Sequence, residues 1–171
     1  KKAIVCTHTI NLQEQLIQKD LPLLKKILDT DFTYTMLKGR SNYLCTHRLH
    51  RAMRNAKFLF TEAEQTELER INEWAQKTQD GTLSDFSEEP DPTVWAEVCS
   101  ERGLCSPKLC GNKSDFAQDH PICFFQKARN RIFTSDILVL NHTLFFIHLG
   151  LVPNMPAEGV LMSNDFVIFD E

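Results

Sequence analysis

Ala3-Ile4-Val5-Cys6-Thr7-His8-Thr9 runs from an unbroken apolar and β-branched segment into polar residues. Such a run predicts a short strand buried on both faces, the habit of parallel sheets. Thr9 or Asn11 then caps a helix in which Leu12, Leu16 and Ile17 have helical spacing. Near the other end, Asp136-Ile137-Leu138-Val139-Leu140 repeats the buried-strand pattern, and Phe166-Val167-Ile168-Phe169-Asp170 repeats it again before Glu171. His142 to Leu149 predicts a helix that stops at Gly150.

Between these ends the pattern changes. Asp20-Leu21-Pro22 predicts a break, with Pro22 opening a second helix through Leu28. Residues 32–44 read as a short strand or extended segment with a turn at Gly39. Thr61-x-x-Glu64 has the form of a capping box, opening a helix over about 62–78 that ends near Gly81. Residues 80–92 read as a loop, and Asp91-Pro92 starts another helix. Residues 103–121 hold Gly, Pro, Asn and Asp without periodicity, a loop that needs a staple, before a helix over about 122–133. Strand and helix at both ends around a helical middle predict an α/β fold, a parallel sheet interrupted by an insertion.

The bulk numbers fit that reading. The chain has 171 residues, 42% of them hydrophobic and 25% charged, as in soluble globular proteins. No apolar run approaches the roughly 20 residues needed to span a bilayer. Lys1-Lys2 leads into a strand rather than a signal peptide. With no initiator Met and a strand at its last residue, the chain reads as an excerpt of a longer protein.

The net charge of −4 conceals two opposed blocks. Lys38 to Lys57 holds six Lys/Arg and no acid, whereas Glu62 to Asp91 holds ten acids against Arg70 and Lys77. Lys127, Arg129 and Arg131 form a further short basic stretch. A phosphate feels charges within a Debye length of about 8–10 Å, so the blocks matter more than their sum. Arg48, Arg51 and Arg54 recur every three residues and share roughly one helix face. They could track a nucleic-acid backbone or form an ordinary solvated face. Trp74 and Trp95 read as core.

Six cysteines without a secretory signal favour a reducing compartment, where clustered thiols bind metal more often than they pair. Four residues separate Cys105 from Cys110, and twelve separate Cys110 from Cys123. Cys45 must be brought in by the fold. The set suits an iron–sulfur cluster or a structural zinc ion, and the residue chemistry leaves both open. Cys6 reads as a packed hydrophobe. Cys99 could replace Cys105 as a ligand, and His120 could contribute.

Taken in order, these residues resemble the DinG/XPD family of iron–sulfur superfamily 2 DNA helicases, in particular its bacterial DinG branch. Thr7-His8-Thr9-Ile10-Asn11-Leu12-Gln13-Glu14-Gln15-Leu16 resembles the family's motif Ia. Lys38-Gly39-Arg40-Ser41-Asn42-Tyr43-Leu44-Cys45 resembles the segment carrying its first cluster cysteine. Cys105-x₄-Cys110 and Cys123-Phe124, followed by Ala128-Arg129, resemble the rest of the set. Asp136 to Leu144, with Asn141-His142 inside it, and Phe169-Asp170-Glu171 resemble the Asn-His strand end and the start of the DEAH box.

The resemblance implies a partial RecA-like motor domain over 1–37 and 134–171, interrupted by a helical cluster domain over 38–133. It implies a [4Fe–4S] cluster on Cys45, Cys105, Cys110 and Cys123, and ATP with Mg²⁺ in the intact protein. Asp170 would hold Mg²⁺ and Glu171 would orient the attacking water. Thr7, His8, Thr9, Lys38, Arg40, Tyr43, Arg48 and Arg51 would contact DNA, with Tyr43 stacking a base. The implied activity is ATP-driven 5′→3′ movement on single-stranded DNA and opening of forked DNA. The other helicase domains of the parent chain would be partners, in a cytoplasmic, nucleoid-associated setting without membrane contact.

No Gly-x-x-x-x-Gly-Lys-[Ser/Thr] occurs in the chain. The phosphate-cradling loop is therefore expected upstream of Lys1, and the excerpt alone should not hydrolyse ATP. Two other readings compete: a non-catalytic zinc- or cluster-stabilised nucleic-acid-binding module, and a nuclease–helicase relative with a preceding exonuclease domain.

Overall fold

The computed structural model describes residues 1–150, 161 and 163–170. The chain divides into two compact units, one from Lys1–Lys38 and Ala128 onward, the other from Gly39–Lys127.

Among the described residues, the first unit is built on four parallel strands, β1 (Ala3–Thr7), β2 (Tyr34–Met36), β3 (Ile137–Asn141) and β4 (Phe166–Phe169). Their order is β2-β3-β1-β4. Register runs from Ala3↔Ile137 to Thr7↔Asn141 on one side of β1, and from Ala3↔Phe166 to Cys6↔Phe169 on the other. Ile4, Cys6, Leu138, Val139 and Leu140 are buried, as expected for strands covered on both faces. Edge strand β4 differs: all four of its side chains are exposed. The Asp136 carboxylate ties β2 to β3 by accepting from the Thr33 amide and hydroxyl, each at 2.8 Å.

The Thr9 hydroxyl caps the helix Ile10–Gln15 by accepting from the Leu12 amide. The break expected at residues 20–22 does not occur. Helical backbone passes through a π turn, Leu16–Asp20, into the helix Leu21–Ile27. Pro22 has no N–H to give, and the widened turn absorbs the misfit, with the Leu21 amide donating to the Leu16 carbonyl. Asn141 caps the helix His142–His148 by accepting from the Leu144 amide, and Gly150 follows with φ +72°.

The second unit is helical. Its helix Glu62–Ala75 starts at a reciprocal capping box between Thr61 and Glu64. Asp91 caps Pro92–Val98, with proline in the first turn where no donor is needed. Leu44, Leu49, Leu68, Ile71, Val94, Val98 and Phe125 form its buried core. The stretch 103–121, expected as a loop, contains two single helical turns, Pro107–Cys110 and Phe116–Asp119. Ser106 caps the first by accepting from the Leu109 amide.

Candidate metal centre

Short backbone hydrogen bonds bring the four cysteine segments together. The Cys45 amide donates to Val98 O at 2.9 Å, and the Cys123 amide to Cys110 O at 3.0 Å. The Cys105 amide donates to Glu101 O at 2.9 Å. Gly81, at φ +61°, supplies the carbonyl that accepts from the Leu44 amide, next to Cys45. The sulfurs of Cys45, Cys105, Cys110 and Cys123 all lie within 4.8 Å of one another. Each of the four residues is 4% exposed or less.

Four buried thiols at this spacing cannot all ionise without a cation among them. Hydrogen bonds from Cys110, Cys123 and Cys45 hold Cys105 far below the ordinary thiol range. Cys45 and Cys123 are pushed up, first by hydrogen bonding to Cys105. Gln126 Nε2 also points at Cys105 Sγ, at 3.9 Å. An all-sulfur, water-excluded donor set suits a soft metal ion or an iron–sulfur cluster.

Cys99 lies outside this set. Its sulfur is directed at Ala96 O, and burial raises its pKa. His120 is not one of the four either, because its ring stacks on Phe116 at 4.5 Å.

The residues singled out for DNA contact fall into different environments. Lys38 is buried and pairs with Glu14 at 2.7 Å. Tyr43 is 3% exposed, with its ring against Phe125. Arg48 is buried, donating to Cys99 O at 2.6 Å and Ala96 O at 2.9 Å and pairing with Glu101. Arg40 lies over the Phe125 ring at 4.7 Å. Arg51 is exposed, as are Arg54 and Lys57, and none of the three has a carboxylate partner among the described residues.

Phe58, absent from the residues expected to contact DNA, is 90% exposed directly after Lys57. Its signal was available: an aromatic at the end of the acid-free basic block. Phe58 sits in the single helical turn Ala56–Leu59.

Thr7, Asn141 and Asp170 share the carboxyl edge of the sheet, since Thr7 pairs with Asn141 and Asp170 follows β4. Thr7 is buried and its hydroxyl donates to Thr9 O. His8 is exposed, 6.2 Å from the His142 ring. Asp170 is exposed and its amide donates to Cys6 O at 2.8 Å. Glu171 lies outside the described residues. Carboxyl edges of open parallel sheets are where such folds bind ligands.

Curated proteins match this chain along its whole length. It is 32% identical over 173 residues to the ATP-dependent DNA helicase YoaA of Haemophilus influenzae, covering 100% of the chain and 26% of that protein. It is also 32% identical, over 172 residues, to Escherichia coli YoaA, covering 100% of the chain and 26% of that protein. The chain belongs to the DinG helicase family. The ATP-dependent DNA helicase DinG of Photobacterium profundum matches at 29% over 179 residues, 96% of the chain and 25% of that protein. This DinG-family chain therefore spans about a quarter of the length of these relatives. No family profile matches it. Among the described residues, no helix is long and apolar enough to cross a membrane.

Proposed function

We propose that the chain is the cluster-bearing part of an ATP-dependent DNA helicase that moves 5′→3′ on single-stranded DNA and opens forks. One observation carries the reading: the chain is related throughout to proteins named as ATP-dependent DNA helicases, and four of its cysteines come together in one buried place. Cys45, Cys105, Cys110 and Cys123 hold a [4Fe–4S] cluster. When bound, the cluster cross-links segments that are remote in sequence. The chain does the rest, excluding water and fixing the backbone turns that present the sulfurs.

The sheet unit is assigned to the motor. Asp170 binds the Mg²⁺ of ATP, and Glu171 orients the attacking water. Thr7, His8 and Thr9 lie beside a helix N-terminus at the same sheet edge and contact the DNA backbone. In the cysteine unit, Arg51, Arg54 and Lys57 form the phosphate-tracking surface, with Arg40 beside it in sequence. Tyr43 and Arg48 support that surface from the interior, Lys38 is held by Glu14 within the sheet unit, and exposed Phe58 rather than buried Tyr43 stacks a base. The ATP-binding loop belongs to another part of the parent protein, so this stretch alone does not hydrolyse ATP.

A zinc-stabilised, non-catalytic nucleic-acid module is the second reading. The sulfur spacing favours it, because a tetrahedral ion at Zn–S about 2.3 Å sets S···S near roughly 3.8 Å. A cubane needs a wider shell.

The test uses the full-length protein with tailed duplexes. A 5′-tailed fork should open on ATP addition, a 3′-tailed one should not, and Asp170→Ala should abolish ATP hydrolysis. Absence of single-strand-stimulated ATP hydrolysis in the unmodified protein would favour the non-catalytic module instead.

A further inference from the structure

A second constellation lies within the Gly39–Lys127 unit and uses none of the cysteines. His50 and His120 stand with ring centroids 4.4 Å apart, and Phe116 stacks on His120 at 4.5 Å with planes 28° apart. These rings line a groove of about 420 Å³ together with Asn72, Gln76 and Lys127. That volume lies within the ~300–1,000 Å³ of small-molecule sites.

Three properties of the lining specify a ligand. First, it offers aromatic faces: Phe116, His120 and Phe124, the last with Lys127 Nζ 4.5 Å above its ring. Secondly, four of its polar side chains are unspent, although the Thr46 and Thr78 hydroxyls are bonded. Those of Asn72, Gln76, His50 and His120 make no hydrogen bond among the described residues. Thirdly, its formal charge is one-sided, since Lys127 lines the groove and no carboxylate does. Burial, and then the charges of His120, Arg54 and His47, hold His50 below the ordinary imidazole range, a crowding that an anion relieves.

We propose that this groove binds one nucleotide, its base stacked on Phe116 and His120 and its phosphate at Lys127. Asn72 and Gln76 meet the base edge, each offering both a donor and an acceptor. A purely apolar ligand would leave these amides and the charge unused, and a metal cation would meet two imidazoles without a third converging ligand among the described residues. The ligand is either one unpaired residue of a single strand or a free mononucleotide. The first source rests on the DNA-binding reading above.

The test uses full-length protein with its metal centre loaded, and two probes. One is an oligo-dT carrying a single 2-aminopurine, and the other is free 2-aminopurine nucleoside monophosphate. Phe116→Leu keeps bulk and removes the aromatic face, while Lys127→Gln removes the charge. Metal content and melting temperature verify that both variants fold, and Gln76→Ala, at an exposed position, gives an independent arm if either does not. Bound probe should be quenched in the unmodified protein. Phe116→Leu should restore most of its fluorescence, and each variant should weaken binding roughly tenfold.

The two sources separate cleanly. If only the oligonucleotide shows this variant sensitivity, the groove takes a residue of a strand. If the monophosphate shows it and the oligonucleotide does not bind, the groove stands and the DNA reading fails. If the oligonucleotide binds but no variant changes quenching or affinity with either probe, the DNA reading stands and the groove proposal is overturned. Failure of both probes to bind overturns the groove as well.

Discussion

Cys105 and Cys123 hold their sulfurs 3.3 Å apart although they are eighteen positions apart in the chain. Cys110 places its sulfur 3.2 Å from Cys105 as well. In the proposed reading, this arrangement ties the fold of residues 39–127 to a bound metal. Cys110→Ser and Cys123→Ser should each lose most of the bound metal and lower the melting temperature. Cys99→Ser should keep full metal content, because Cys99 lies outside the converged set. Metal analysis with thermal melting checks both outcomes.

Gly81 stands where no side chain fits. A β-carbon there would lie 2.1 Å from Cγ of Phe124, at a φ of +61°. Gly81→Ala should cost at least ~2 kcal/mol, from left-handed backbone strain and overpacking together. Because Phe124 follows Cys123, one of the four converged cysteines, the same change should reduce metal content. Denaturant melting measures the first effect and metal analysis the second.

How much of this was legible in the sequence depended on the range of the interactions involved. The strands were legible because apolar runs such as Ile137–Asn141 declare themselves locally. So were Thr9, Thr61/Glu64 and Asp91-Pro92, because a cap is read from neighbouring residues. The roles of Lys38, Tyr43 and Arg48 were not. Whether Arg48 meets water or a carbonyl is set by Ala96 and Cys99, about fifty residues on. A three-residue repeat gave one face to Arg48, Arg51 and Arg54, but not the point at which that face turns inward. The π turn before Pro22 was hidden because Pro22 marks a missing donor without saying whether the helix breaks or widens.

Arg48 provides a direct check on that distinction. Arg48→Ala should destabilise the protein by about 2–3 kcal/mol, since it strands the buried Cys99 carbonyl, frees the part-buried Ala96 carbonyl and removes a charged donor. Its effect on the salt dependence of DNA binding should be small. Arg54→Ala should do the reverse, leaving stability within ~0.5 kcal/mol and lowering the slope of log K against log salt by about one. Denaturant melts and a salt titration of oligonucleotide binding separate the two residues.

Phe58 should matter for strand opening more than for folding. Phe58→Ala removes a 90%-exposed ring and should leave the melting temperature nearly unchanged. It should weaken single-strand binding by about 1–3 kcal/mol if a base stacks on it. Equal affinity in wild type and variant would remove Phe58 from the contact surface.

Glu67 gives the helical unit an acid-sensitive joint. Its carboxylate accepts from Arg70 and from the Asp91 amide, and Arg70 first holds its pKa below the usual carboxylate range. A folded-state pKa below the unfolded value contributes stability that is complete above the unfolded pKa of about 4.3. That contribution is lost as pH falls through the folded value. Glu67→Gln should therefore cost up to about 1 kcal/mol at neutral pH and flatten the acid limb of the stability curve. Denaturant melts from pH 7 down to pH 3 would show it.

The central claim is the cluster, and metal analysis of the anaerobically purified protein tests it most directly. The account predicts about four irons and four sulfides per chain, with visible absorption that Cys45→Ser abolishes. One zinc per chain with neither iron nor sulfide would contradict it.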